Sequence, residues 1–115
     1  MFAQGLGGLA WWLTLFAWPQ SRTAFMAAGA PEATLLAFMI PDLLLYAGGS
    51  LIAGYALITG RRWSHLAACI HAGAAMYAAL YCIGLWWLDP HAWLPALMMA
   101  PSLIVPPWIA WSSRP

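Results

Sequence analysis

The chain has no lysine, and only seven side chains carry a formal charge: Arg22, Arg61, Arg62, Arg114, Glu32, Asp42 and Asp89. A soluble domain carries charge on about a quarter of its residues. Here 6% are charged and 64% hydrophobic, so most of the surface has to face lipid. The same scarcity gives no support for nucleic acid as a partner, because Arg61-Arg62 is the only basic cluster and a polyanion needs a basic patch. Cysteine is scarce too. Cys69 and Cys82 stand in one apolar run, about 20 Å apart on a helix, which is beyond disulfide reach. No CxxC spacing exists, so both read as small core residues. The signatures of nucleophilic and metal chemistry are also missing. There is no His/Cys/carboxylate cluster, no glycine loop with Lys and Ser, and no carboxylate pair at catalytic spacing. These absences point away from an enzyme and identify no cofactor.

What remains is long apolar runs. They predict an all-α integral membrane protein, a single domain over 1–115, with four antiparallel transmembrane helices at about 2–18, 33–59, 64–88 and 92–111. The first run lacks a basic n-region and ends in Trp18-Pro19, so it reads as a retained span and not a cleaved signal. Pro31 and Glu32 read as the start of the second span. Pro41 should kink that span, which is longer than a bilayer core needs. Ser64 is a plausible N-cap for the third. Four prolines make the fourth the least regular, with a kink expected at Pro101.

Arginine placement predicts orientation. Arg61, Arg62 and Arg114 share one side, and Arg22 lies on the other with Glu32 and Asp89. The positive-inside bias then puts both termini in the cytoplasm, N-in/C-in, in a membrane of the bacterial inner type. The tryptophans fit this register. Trp18, Trp86, Trp87 and Trp93 fall at the outer edge, and Trp63, Trp108 and Trp111 at the inner edge, where indole rings favour the headgroup level. Trp11 and Trp12 fall inside the membrane, where each indole N–H wants a partner. They read either as ordinary packing or as lining for a ligand.

Lipid is as apolar as leucine, so close packing has to come from small residues. On the third span Ala68, Ala72, Ala75 and Ala79 form one narrow stripe. On the second, Gly49 and Ala53, with Ser50 and Gly54 beside them, repeat at a spacing of four. These two surfaces are expected to face each other.

Polar groups inside a span are functional hypotheses by default. Asp42 lies about 25 Å from the cytoplasmic edge and reads either as a helix-start or hydrogen-bonding group or as a ligand or proton site. Pairing across the 60–63 hinge places it level with Tyr81, with a hydrogen bond expected between them, and places Tyr46 level with Tyr77. His71 lies beside the alanine stripe and so should face protein. It reads either as a neutral hydrogen-bonded histidine or as a haem or metal ligand.

The runs PDLLLYAGGSLIAG (41–54) and HAGAAMYAALYC (71–82) resemble the N-terminal spans of bacterial membrane proteins of the isoprenylcysteine methyltransferase type, over roughly residues 34 to 100. The catalytic half of that family, with its cofactor-binding Arg-His-Pro region, has no counterpart in this sequence. The resemblance therefore implies no cofactor and no catalytic residue. Length and span number are also similar to those of small multidrug transporters, but their working acid lies in the first helix, where this chain has none. Three functional readings follow. The first is a small accessory or structural subunit that packs on another membrane protein or on itself. The second is an oligomeric transporter or a lipid or small-molecule binder using Asp42, Tyr46, Tyr81 and His71. The third is a membrane enzyme or haem protein centred on His71.

Overall fold

A computed structural model describes residues 1–114. Among them every regular element is helical. Helix α1 spans Phe2–Ala17. Helices α2 (Glu32–Ile58), α3 (Ser64–Leu88) and α4 (Pro90–Ser112) are each long and apolar enough to cross a membrane. Helix α1 has 16 residues and so reaches about 24 Å.

Proline punctuates the chain. Trp18, ahead of Pro19, leaves the helical region at ψ 79°, as the pre-proline position favours. Pro19–Phe25 then forms a 3-10 helix that turns back, and Phe25 and Met26 pack on a buried cluster of Trp12, Leu15 and Leu35. Arg22 Nε donates 2.9 Å to the Leu15 carbonyl, one of the carbonyls that a helix end leaves open, and its guanidinium pairs with Glu32. Helix α2 begins at Glu32, with Pro31 as its cap residue and not its first helical position. Trp63, not Ser64, caps α3.

Pro41 has the effect expected of a residue without an N–H, but the result is a change of pitch. The α-hydrogen bonding of α2 is interrupted at Phe38, and Asp42–Gly48 is wound as π-helix before α-geometry resumes at Gly49. Helix α4 is broken in the same way. Ala100–Leu103, around Pro101, is 3-10.

The packing follows the small residues, with one correction. The stripe Ala68, Ala72, Ala75 and Ala79 is buried, and Ala68 and Ala72 cluster with Ala110 of α4. Gly49 faces α3, since a Cβ there would lie 3.5 Å from His71 Nδ1. Ser50 and Gly54, however, face α1. Ser50 Oγ donates 2.6 Å to the Met1 carbonyl, and Phe2 lies 3.1 Å from where a Gly54 Cβ would be. The reason is a surface of α1 that invites close approach. A Cβ on Gly5 would meet Leu51 at 2.8 Å and the Ala47 carbonyl at 3.0 Å, and one on Gly8 would meet Ala47 at 3.4 Å. Ala53 is fully buried in the same helix. Outward faces are apolar, as at Leu13, Leu44, Ile58 and Leu80. The molecule is 47 Å long and 18 Å thin, and its length matches a bilayer with its headgroups, about 40–45 Å.

The Gly5 contact is testable. Gly5→Val should lower stability in a denaturant titration in detergent by about 1–3 kcal/mol, the usual cost of overpacking. Ala75→Leu should do likewise. Leu44→Ala, at a site 67% exposed, should change stability by less than either. Equal effects at all three positions would contradict this packing.

Candidate functional site

The docking of α1 along α2 brings two polar pairs together. Trp12 Nε1 donates 2.7 Å to Asp42 Oδ2, and Trp12 is only 2% exposed. Two turns deeper, Gln4 Nε2 donates to the Tyr46 hydroxyl at 3.0 Å and to Ser102 Oγ at 3.1 Å. Tyr46 and Ser102 are themselves 2.9 Å apart. His71 Nε2 lies 3.3 Å from Gln4 Oε1, so this knot joins all four helices. Tyr46 comes from the π segment and Ser102 from the 3-10 segment. Loosened or tightened winding of this kind is common at functional positions. His71 is 1% exposed. Its Nδ1 is buried and makes no hydrogen bond.

Above the knot lies a cavity of about 350 Å³, within the usual range for small-molecule pockets. Its walls are mostly apolar. Helix α1 gives Gln4, Gly7 and Trp11, and α2 gives Phe38, Asp42 and Tyr46. Tyr81 and Cys82 of α3, Met98 and Met99 of α4, and Phe25 of the connection complete it. The aromatic walls pack edge to face around Trp11 and at a tilt between Phe38 and Tyr81. Trp11 meets Trp12 at 4.8 Å and Phe25 at 5.3 Å between centroids, and Phe38 meets Tyr81 at 4.7 Å. The Trp11 indole N–H is buried and has no partner.

The structure therefore brings Asp42, Tyr46, Tyr81, Trp11 and Trp12 to one place. It does not bring His71 or Tyr77 there. His71 sits in the knot behind Gln4 and does not line the cavity. Tyr77 points outward, 71% exposed. Asp42 bonds to Trp12 and not to Tyr81, because the α2–α3 pairing runs one turn off the hinge count. Phe38, not Asp42, meets Tyr81. Gln4 and Ser102 escaped sequence reasoning. A glutamine inside an apolar, glycine-rich span was the available signal for the first, and nothing marked the second. Among the described residues no three His, Cys, Asp or Glu side chains gather in a way that could hold a metal ion.

Asp89 in the α3–α4 turn ties down the 19–31 connection that forms part of the cavity wall. Its Oδ2 accepts from the Ala28 N–H at 2.6 Å and its Oδ1 from the His91 N–H at 3.0 Å. The first bond joins the 19–31 connection to the opposite turn. These donors, the Ala28 N–H foremost, favour the charged form and hold the Asp89 carboxyl below its ordinary value. A lowered carboxyl contributes stability that is present at neutral pH and lost as pH falls through the folded-state value. No family model, curated protein or solved structure matches this chain.

The Ala28 amide resonance should therefore report Asp89. In an acid titration followed by NMR it should shift with a midpoint below about 4, the ordinary carboxylate range, and Asp89→Asn should remove the transition. A midpoint at or above that range would mean the two loops are not joined in this way.

Proposed function

We propose that this protein crosses the membrane four times with both termini in the cytoplasm, and that it binds a small, largely apolar molecule in the cavity between its helices. The observation that carries the binding reading is the pairing of a 350 Å³ apolar space with unspent polar groups. The Trp11 N–H has no partner, and the Asp42 carboxylate has accepted one hydrogen bond, at one oxygen. A buried donor without an acceptor costs about 1–3 kcal/mol. Transport of the same molecule would follow if the Asp89 tie opens. Support for the topology comes from α1, which runs antiparallel to α2 from Phe2 beside Gly54 to Trp12 beside Asp42. The arginines support the orientation. Arg22 is neutralised by Glu32, which leaves the unpaired bias at the 61–62 and 114 end.

A second reading, an accessory or self-associating subunit, is favoured by Tyr77. Its hydroxyl makes no hydrogen bond among the described residues and faces outward halfway along α3. Gly73, one turn earlier, is open to a neighbour, since a Cβ there would meet nothing within 4 Å. A partner helix could pack on that opening and accept from Tyr77. Native mass spectrometry of gently extracted protein separates the readings, because the subunit reading requires a stoichiometric partner or oligomer that Tyr77→Phe weakens.

Binding is tested by calorimetry in zwitterionic nanodiscs with 2-naphthaleneethanol, against empty nanodiscs. Saturable binding is expected. Gly7 lines the cavity and has open space at its Cβ, so Gly7→Phe should weaken binding at least tenfold, about 1.4 kcal/mol, without loss of helicity. Absence of saturable binding, or no effect of filling the cavity, would dismiss this reading. For topology, Ser113→Cys and Gln20→Cys in a Cys69→Ala/Cys82→Ala chain should react with an impermeant thiol reagent from opposite faces. Labelling of both from one face would rule out the four-span arrangement.

A further inference from the structure

The cavity has one formal charge and no compensation for it. Asp42 is in no ion pair among the described residues, where the ion pairs are Arg22–Glu32 and His91–Asp89. No Lys, Arg or His side chain lines the space. Arg22 is engaged outside it by Glu32 and by the Leu15 carbonyl. Arg61, Arg62 and Arg114 lie at the far end of the helices, in or beyond the 59–63 turn and the end of α4. A single indole N–H, from Trp12, is a weak counterweight to a carboxylate withdrawn from water. Buried charges are paired or they are neutralised.

The surroundings of Asp42 are aromatic. Trp12 holds the carboxylate, Trp11 stands against Trp12, and Phe25 stands against Trp11. Phe38 and Tyr81 form a second aromatic pair in the wall of the same cavity. Ring faces carry negative potential and attract cations, most strongly where water is excluded. A carboxylate in an apolar pocket whose wall includes these aromatic rings attracts positive charge and repels anions.

We infer that the ligand class of this cavity is a hydrophobic organic cation, an amine or ammonium on an apolar body, with Asp42 as its counter-ion. The inference rests on the binding reading above and sharpens it. The volume sets the size, since about 350 Å³ admits a body of one or two fused rings and not a two-chain lipid. The apolar walls take that body and Asp42 takes the charge. The alternative to a bound cation is a proton on Asp42, which would leave the cavity neutral and indifferent to ligand charge.

The test is a charge series on one ring system in zwitterionic nanodiscs, using 2-naphthylethylammonium, 2-naphthaleneethanol and 3-(2-naphthyl)propanoate. The expected order is cation, then alcohol, then carboxylate. The cation should bind at least about tenfold tighter than the alcohol, the scale of one charge-assisted hydrogen bond. Asp42→Asn should bring cation and alcohol to equal affinity. If the wild-type protein binds the alcohol as tightly as the cation, the counter-ion role is overturned and the cavity reading survives. The same holds if the preference for the cation persists in Asp42→Asn. If none of the three binds saturably, the cavity reading fails together with the inference.

Discussion

The polar contacts inside the helix bundle depend on how closely α1 can lie against α2. A Cβ at Gly5 would sit 2.8 Å from Leu51 and 3.0 Å from the Ala47 carbonyl, so the two backbones are in near contact. In lipid there is little hydrophobic drive for helices to associate, and dispersion between closely opposed backbones takes its place. That approach fixes the register. Once Gly5 and Gly8 sit on Ala47, Trp12 is delivered to Asp42 and Gln4 to Tyr46. A one-residue slip would leave four polar groups unpaired at membrane depth, each at a cost of kcal/mol order.

The irregular windings serve the same end. Proline at 41 and at 101 breaks the regular ladder, with a π segment following the first and a 3-10 segment containing the second. Each turns one hydroxyl, Tyr46 or Ser102, onto Gln4. Above the knot the bundle stays open, and α3 and α4 line the space with Tyr81, Met98 and Met99. The 19–31 connection covers it and is tied down by Asp89.

Tryptophan divides into two populations for a physical reason. Seven of the nine are exposed near helix ends, where an indole can keep its N–H in headgroups and its ring in lipid. Trp11 and Trp12 are inward. One indole N–H is satisfied by Asp42 and the other is not satisfied at all. Both rings stand in the wall of the same cavity.

The sequence by itself determined the helical class, the helix limits to within two residues, the alanine stripe and the identity of most polar groups that matter. These follow from local rules. Apolar run length, proline position and small-residue spacing each act within one helix. Tertiary structure decided which helix each polar group meets. Counting outward from the 60–63 hinge paired Asp42 with Tyr81 and Tyr46 with Tyr77. The hinge count took no account of α1, and the glycines of α1 draw Asp42 and Tyr46 toward themselves. The π segment was equally invisible, since nothing in Asp42–Gly48 states that its hydrogen bonds skip a residue. Serine at 102 could be read only once the break at Pro101 had turned it inward. Local chemistry names the groups, and the close approach of two backbones, set by glycines and alanines on separate helices, decides which of them meet.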